Sequence, residues 1–308
     1  MGLEFASPQE RMMETVFVTG GSSPLGQRVL RRLLLQMRIL AVVHRREIKA
    51  SGGEIELLYG GLEEIARDPA ALQRVQIVLH MAATTHSHNP SEYFRVNAEL
   101  TKQLLSFCSA SQLFVYVSTI CAHPDGGAYG RSKWLAEEAV RNSGLNYTII
   151  RPAEIYGSSD AEGIDALVSF ACKTHIVPDF RWHGPIKYAP ISVEEAAQFI
   201  ADTTIHRHST NQTYSLCAEQ SCTAAEIAQA LRSSVRPLFV VPVPVILLQA
   251  AKALRLPVPF KRDQIDRLLL PKVYDSTAAR RDYNFRPRPF LRYLAEERGI
   301  IPGADSGR

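Results

Sequence analysis

The stretch Thr15-Val-Phe-Val-Thr-Gly-Gly-Ser-Ser-Pro-Leu-Gly26 stands near the start of a chain of 308 residues. Its first four residues are β-branched or aromatic, which is typical of a strand. A glycine-rich turn follows, and the residues from Gln27 to Met37 have helical character. This order suits a dinucleotide pyrophosphate, because backbone N–H groups and the positive end of the helix then face the phosphates. An ordinary turn between a strand and a helix is the alternative at this point.

A second pattern pairs Tyr129 with Lys133, downstream of Thr119 at the end of the apolar run Leu113-Phe-Val-Tyr-Val117. A phenol and an ammonium group four positions apart lie on one face of a helix, where the cation favours the ionised phenol. A tyrosine in that position can pass a proton to or from a carbonyl or alcohol oxygen. Alone, such a pair is more typical of a solvated helix face, so its meaning depends on the rest of the chain.

A series of segments in fixed order makes the chain resemble the short-chain dehydrogenase/reductase superfamily, specifically its extended, epimerase/dehydratase-like branch. The segments are Thr19 to Gly26, Val78 to Ala83, Val96-Asn97, Val117 to Thr119, Tyr129 with Lys133, Ile150 to Pro152, Pro190 to Ala197, and Asp275 to Pro287. The resemblance extends from about Thr15 to Pro289. The chain departs from the branch's Thr-Gly-x-x-Gly-x-x-Gly turn at the middle glycine, where it has Ser23.

The resemblance implies an NAD(P)-dependent enzyme and assigns roles to the matched positions. It makes Tyr129 the acid/base, Lys133 the residue that holds the nicotinamide ribose and lowers the pKa of the tyrosine, and Thr119 the partner of the reacting oxygen. A free tyrosine has a pKa of ~10, so it needs such a cation to work near neutrality. The expected cofactor-binding residues are Gly20, Ser22, Ser23, Pro24, Leu25, Gly26, His44, Arg45, Arg46, Gly61, Leu62, Met81, Ala82, Ala83, Asn97, Lys133 and Pro152.

The residues after the second predicted strand bear on the choice of cofactor. NAD sites place a carboxylate there for the ribose 2′-hydroxyl, whereas NADP sites place cations there for the phosphate. This chain has His44-Arg45-Arg46 and no carboxylate before Glu47. Two guanidinium groups suit a phosphate dianion, so we expect NADP, with NAD as the alternative. An aspartate that the family often places near the adenine is Gly61 here, so we expect apolar or backbone contacts to the adenine.

Alternating strands and helices predict an α/β fold, a Rossmann-type doubly wound parallel sheet with a smaller C-terminal substrate lobe. The expected strands are 15–19, 38–43, 54–59, 76–80, 112–118 and 146–151. The clearest helix follows Pro90, and further helices are expected near 163–173, 193–203, 223–233, 245–254 and 263–270, with extended pieces near 186–190 and 213–217. We expect an NAD(P)-binding domain over 1–155 and a substrate lobe over 156–308 intertwined with it.

Composition excludes several classes of protein. The chain is 46% hydrophobic with a net charge of +4, and its basic residues are dispersed, which argues against a nucleic-acid partner. Its five cysteines have no zinc-site spacing, so no metal is expected. Its most apolar stretch, Phe239 to Leu256, is broken by prolines and falls short of a membrane span. We therefore expect a cytoplasmic protein.

His80 and His86 are more typical of structural histidines than of catalytic ones.

Substrate identity is where the sequence leaves alternatives open. The leading hypothesis is an NADP(H)-dependent oxidoreductase that reduces a carbonyl, such as that of a 4-keto nucleotide sugar. A nucleotide-sugar epimerase with tightly bound cofactor and a non-catalytic NAD(P)-binding module are the alternatives. The loop Arg181-Trp-His183 with Lys187 could form a sugar or diphosphate pocket or an exposed aromatic loop. A homodimer through helices in 92–109 and 129–142, as is frequent in the family, is a further expectation.

Overall fold

Short runs of β-branched and aromatic residues form the strands at the centre of the molecule. The computed structural model describes residues 13–44, 46–49, 52–65, 70–158, 163–208, 210–232, 235–256 and 262–296. The strands are β1 (Thr15–Thr19), β2 (Arg38–Val43), β3 (Ile55–Tyr59), β4 (Ile77–His80), β5 (Leu113–Val117), β6 (Asn146–Pro152), β7 (Ile155–Tyr156), β8 (Ile176–Arg181), β9 (Lys187–Tyr188), β10 (Ile191–Ser192), β11 (Gln212–Leu216), β12 (Cys222–Thr223) and β13 (Phe239–Pro244).

Helices connect these strands and cover both faces of the sheet. They are α1 (Pro24–Leu33), α2 (Leu62–Ile65), α3 (Ala70–Gln73), α4 (Pro90–Tyr93), a π-helical segment (Phe94–Glu99), α5 (Leu100–Ser106), α6 (Gly127–Arg141), α7 (Gly163–Thr174), α8 (Val193–His206), α9 (Ala224–Leu231), α10 (Val245–Ala253), α11 (Arg262–Arg267), α12 (Thr277–Tyr283) and α13 (Phe290–Glu296).

Seven strands form one parallel sheet in the order β11-β6-β5-β4-β1-β2-β3. Helices α1 and α8 cover one face through a core that includes Leu30 and Phe199, and α5 and α6 cover the other through Leu104 and Val140. The predicted doubly wound Rossmann-type fold is therefore confirmed, as are its six N-terminal strands.

The second half of the chain contributes to this sheet and also builds a lobe of its own. Strand β11 hydrogen-bonds to β6, and the N-terminus of α8 is fixed by a capping box between Ser192 and Glu195. A separate apolar core, which includes Tyr156, Val177 and Phe290, joins β7, α7, β8, α9 and α13. The division at residue 155 stays a prediction, and so does the homodimer.

The structure differs from the sequence-based expectation at several elements, among them α12 and α13, which were not predicted. The helix expected after Pro90 is interrupted by the π-helical segment, whose wider turn was not visible in the three-and-four spacing of the apolar residues. Strands β8 and β13 were not predicted, and they pair in parallel from Phe239 opposite Ile176 to Pro244 opposite Arg181. The prolines of β13 concealed its extended character within an apolar stretch.

Candidate active site

The glycine-rich turn after β1 packs tightly against the loop that follows β4. Gly20 has a φ of 75°, and a Cβ atom on it would lie 2.6 Å from the backbone nitrogen of Ala82. A Cβ atom on Gly26 would lie 2.2 Å from the carbonyl oxygen of Gly20. Contacts with backbone atoms thus require glycine at both positions.

This turn lies where the strand order of the sheet reverses, between β1 and β4. Ligands of open α/β sheets bind in the crevice beyond the carboxyl ends of the strands at such a point. Ser22, Pro24 and Leu25 are half-buried around the start of α1, where the positive end of the helix dipole favours phosphate. The residues present therefore fit a dinucleotide pyrophosphate.

Ser23, which replaces the expected middle glycine, is the N-cap of α1. Its hydroxyl donates to the Gly20 carbonyl at 2.9 Å and accepts from the backbone N–H of Gly26 at 3.0 Å. Pro24 follows in the first helical turn, where its missing N–H costs nothing. The side chain thus folds back onto its own turn, which explains how the glycine-rich turn accommodates a serine.

His80, at the end of β4, is a structural histidine. Its Nδ1 lies 2.6 Å from the Thr19 hydroxyl, and its Nε2 lies 2.9 Å from the hydroxyl of Thr101 on α5. Burial, with a smaller contribution from Lys133, lowers the pKa of His80 to about 3. Thr19 also accepts the backbone N–H of Ala82 at 3.2 Å, so this group orients the segment from Met81 to Ala83, which was expected to contact the cofactor.

The residues expected near the adenosine lie beyond β2 and β3. His44 and Arg46 are exposed after β2, and Arg45 lies outside the described residues. Gly61 and Leu62 are half-buried after β3. Within the described part of the chain, the basic side chains of this corner are therefore open to solvent.

Pro152, which was also expected to contact the cofactor, is buried at the end of β6.

Asn97 lies in the π-helical segment and joins three parts of the site. Its Oδ1 accepts the backbone N–H of Thr84 at 2.8 Å, and its Nδ2 donates to the Thr84 carbonyl and to the Ser132 hydroxyl, each at 3.0 Å. The side chain is almost fully buried. Asn97 therefore positions the loop after β4 against α6, and its contact with a cofactor stays a prediction.

Tyr129 and Lys133 lie one turn apart on α6, and both are buried. The Lys133 ammonium donates to the Val117 carbonyl at 2.8 Å and lies 4.2 Å from the centre of the Tyr116 ring. Burial lowers the pKa of Lys133 to about 7. Thr119 is half-buried just beyond β5, and its hydroxyl accepts the backbone N–H of Cys121 at 3.2 Å. Helix α6 and strand β5 thus place all three expected catalytic residues at the carboxyl edge of the sheet.

The residues between Tyr129 and Lys133 fix helix α6 in this position. A Cβ atom on Gly130 would lie 2.3 Å from the Cys121 carbonyl oxygen, so only glycine lets the helix approach the loop after β5. The Ser132 hydroxyl donates to the Tyr129 carbonyl at 2.7 Å while it accepts from Asn97. The tyrosine and the lysine are therefore held by backbone packing as well as by the helix itself.

A fully buried carboxylate, that of Glu137, stands one turn further along α6. It accepts from the Ser118 hydroxyl at 2.6 Å, from Arg141 at 2.7 Å and from Arg151 of β6 at 2.8 Å. Two guanidinium groups and a hydroxyl thus satisfy this carboxylate. The network ties α6 to β6, which ends at Pro152, and to Ser118, which lies between the end of β5 and Thr119.

Sequence reasoning missed the segment from Arg267 to Tyr274, which lies over the site. The Arg267 guanidinium stands 5.0 Å from the centre of the Tyr129 ring. The Lys272 ammonium pairs with Glu154 at 3.0 Å, and both side chains are largely buried. Glu154 follows the end of β6, a position that could have suggested a site residue, whereas nothing in the sequence near Lys272 indicated its partner. Leu270 of this segment belongs to an apolar cluster with Ile120, Cys121, Ala153, Ala189, Cys217 and Ala218.

The loop after β8 has the form of an exposed aromatic turn. Arg181 pairs with Asp179 at 2.8 Å, and the exposed ring of Trp182 packs edge-on against His183 at 4.8 Å. Lys187 is exposed. Of the two alternatives for this loop, the aromatic turn fits these contacts better than a diphosphate pocket.

The described residues contain no cluster of metal-ligating side chains and no helix long and apolar enough to cross a membrane.

Known families and proteins that resemble this chain agree with its fold. The model of the NAD dependent epimerase/dehydratase family matches residues 16–175. A ceramide reductase of Caulobacter vibrioides is 28% identical over 191 residues, a match that covers 59% of this chain and 58% of that relative. The chain thus spans little more than half the length of this curated relative.

Two solved structures share the fold across nearly the whole chain. The Bordetella bronchiseptica enzyme WbmH, in complex with NAD+, superposes with a TM-score of 0.70 at 15% identity and covers 92% of this chain and 96% of its own. The UDP-glucose 4-epimerase of Thermotoga maritima, with UDP-glucose, gives 0.66 at 17% identity with 91% and 96% covered. At these identities the likeness shows the fold alone.

Proposed function

Because the chain belongs to the NAD dependent epimerase/dehydratase family, an NAD(P)-dependent oxidoreductase and epimerase group, we propose that it uses NADPH to reduce a carbonyl to an alcohol. The observation that carries this proposal is the buried pair of Tyr129 and Lys133 on α6, with the ammonium bound to the Val117 carbonyl at the end of β5, two residues before Thr119. A bound nicotinamide supplies the hydride in such chemistry. The chain's own residues then orient the carbonyl and deliver the proton.

In this proposal the Tyr129 hydroxyl donates its proton to the carbonyl oxygen as the alcohol forms. Thr119 donates a hydrogen bond to the same oxygen, so that charge developing there is stabilised by a group already in place. The Lys133 ammonium, held by the Val117 carbonyl, favours the phenolate left on Tyr129. The buried surroundings of α6 strengthen this electrostatic effect.

The surroundings of Thr119 support a weakly polar carbonyl substrate. Ile120 and Leu270 belong to a buried apolar cluster that begins next to Thr119, and the charges of Glu154 and Lys272 neutralise each other. Such surroundings suit a ketone on an apolar scaffold better than a nucleotide diphosphate, which needs unpaired cations. The similarity to a ceramide reductase supports the same choice. We therefore place a hydrophobic ketone ahead of the 4-keto nucleotide sugar expected from the sequence.

The test of catalysis is Tyr129→Phe, which removes the hydroxyl and keeps the ring. NADPH oxidation with a panel of long-chain ketones, simple ketones and 4-keto nucleotide sugars should fall by about 10²–10⁴-fold, while NADPH affinity persists. Lys133→Met should reduce both turnover and affinity. Tyr59→Phe, at an exposed tyrosine ending β3, is the matched control and should behave as wild type.

The panel also separates the alternatives. Wild-type protein that binds NADPH but turns over nothing would favour the non-catalytic module, and interconversion of nucleotide sugars without net NADPH consumption would favour an epimerase. A Tyr129→Phe variant as active as wild type would remove the mechanism for every substrate.

The preference for NADP is proposed from the charge after β2. Replacing Arg45 and Arg46 with alanine removes two charge-assisted contacts to the 2′-phosphate, each worth about 1.5–3 kcal/mol. Fluorescence titration should show NADPH binding weakened far more than NADH binding. Arg38→Ala, at the opposite end of β2, is the control. Equal losses for the two cofactors would contradict the assignment.

A further inference from the structure

Helix α10 turns an apolar side toward solvent. Ile246 and Leu254 are 61% and 71% exposed, and Leu247 is 62% exposed. The exposed positions recur at the spacing of a single helical stripe, which comprises Ile246, Leu247, Ala250, Ala253 and Leu254. A surface helix of a globular protein normally places such a stripe against the core. Helix α10 has the opposite orientation, with its apolar stripe toward solvent.

Polar and anchoring contacts on the opposite side hold α10 in this orientation. Val245 is fully buried at the start of the helix, and Lys252 forms an ion pair with Asp266 of α11. The Gln249 amide nitrogen is also buried, with no hydrogen-bond partner among the described residues. The inward side thus carries polar as well as apolar groups, and the side chains of the apolar stripe are mostly exposed.

Strand β13 extends this apolar surface. Its Phe239 is 59% exposed, and Val241 and the neighbouring Ile176 of β8 are also exposed. Val240 and Val177 lie on the other side of the same strands and pack into the core of the lobe. The surface formed by Ile176, Phe239, Val241, Ile246, Leu247 and Leu254 is called the apolar face below.

The charged side chains within the segment that carries most of the apolar face have one sign. From Arg232 to Leu256 the sequence contains Arg232, Arg236, Lys252 and Arg255 and no aspartate or glutamate. The three arginines are exposed. In a symmetric dimer the same patch would face itself, so these cations would meet and repel. An anionic lipid surface instead offers an apolar interior and complementary charge.

We propose that the apolar face docks on the surface of an anionic phospholipid bilayer, with α10 lying in the plane of the interface. The stripe of α10 and the side chains of β13 enter the boundary between headgroups and acyl chains, and the arginines contact lipid phosphates. This docking is independent of catalysis, because it involves neither the glycine-rich turn nor Tyr129.

The experiment measures co-sedimentation of the full chain with vesicles of phosphatidylcholine, with and without phosphatidylglycerol, in the absence of cofactor and substrate. We expect binding to the anionic vesicles that weakens as salt rises. Leu247→Glu should lower the partition coefficient by about tenfold or more. Arg255→Glu should lower binding to anionic vesicles only. Leu35→Glu, at a leucine 79% exposed beyond the end of α1, is the matched control and should bind as wild type.

Thermal unfolding and NADPH titration of each variant show that it is folded. Wild-type protein that binds neither vesicle, or a Leu35→Glu variant that loses as much binding as Leu247→Glu, would overturn the proposal. Light scattering that finds a dimer dissociated by Leu247→Glu, without vesicle binding, would assign the apolar face to a second copy of the chain and would also overturn it.

Discussion

Helices α1 and α10 have comparable lengths and opposite relations to solvent. In α1 the leucines and valine face the sheet, and Leu30 is fully buried, whereas in α10 the exposed stripe contains Leu247. Cations on the outer side of α1 are also used within the fold, because Arg28 and Arg32 pair with Glu194 of α8 at 2.6 and 2.7 Å. Contacts inside the chain account for the orientation of α1, but they do not account for the exposed stripe of α10. This difference separates the part of the sequence that specifies the fold from a part available for an outside partner.

The sharpest test of this comparison makes the same substitution in both helices. Leu30→Ala should lower the free energy of unfolding by about 2–5 kcal/mol, because it leaves a cavity in the core. Leu247→Ala should change it by no more than about 0.5 kcal/mol. Urea unfolding measures both. Equal costs would show that α10 packs inward in solution and would break the comparison.

The buried polar network around Glu137 provides the next test. Glu137→Gln should cost about 3 kcal/mol, because it removes the charge that pairs with Arg141 and Arg151. Glu138→Gln changes the adjacent, partly exposed carboxylate, which also pairs with Arg141, and should cost less than about 1 kcal/mol. If urea unfolding gave the same cost for Glu137→Gln and Glu138→Gln, the buried network would add nothing to the stability of the protein.

His80 should make the stability of the sheet half depend on pH. Its folded-state pKa is about 3 and its unfolded pKa about 6.5, so only the unfolded chain takes up a proton between these values. Stability is therefore greatest above pH 6.5 and should fall by about 2 kcal/mol from this residue between pH 6.5 and 5. In urea unfolding across this range, His80→Gln should flatten the slope and His123→Gln should preserve it. An unchanged slope in His80→Gln would refute the assignment.

The smallest expected effect concerns Ser23. Loss of the N-cap in Ser23→Ala should cost about 1 kcal/mol, and Ser23→Gly only a few tenths. NADPH binding by Ser23→Gly should be unchanged or tighter. Ser192→Ala removes the equivalent cap from α8 and should destabilise the protein without affecting NADPH. Marked weakening of NADPH in Ser23→Gly would show that the hydroxyl is itself a phosphate ligand.

The sequence predicted the sheet half well because its signals are local. Strand β1, the glycine-rich turn and the pair of Tyr129 and Lys133 can each be recognised within a few residues. The pairing of Glu154 with Lys272 depends instead on how distant segments meet, and no local pattern specifies it. The orientation of α10 could not be predicted either, because an apolar helix has the same sequence pattern whether its stripe faces a core or solvent.

The tight approach of Gly130 to the loop after β5 changes how the pentad from Tyr129 to Lys133 should be written as a search pattern. Its first internal position admits only glycine, since any Cβ atom there would collide with the Cys121 carbonyl oxygen. Its third, Ser132, carries two hydrogen bonds, and only the exposed Arg131 between them is unconstrained by packing. For this backbone the informative pattern is Tyr-Gly-x-Ser-Lys. A chain with a bulkier residue after the tyrosine must route the loop after β5 differently and should not inherit this geometry by alignment alone.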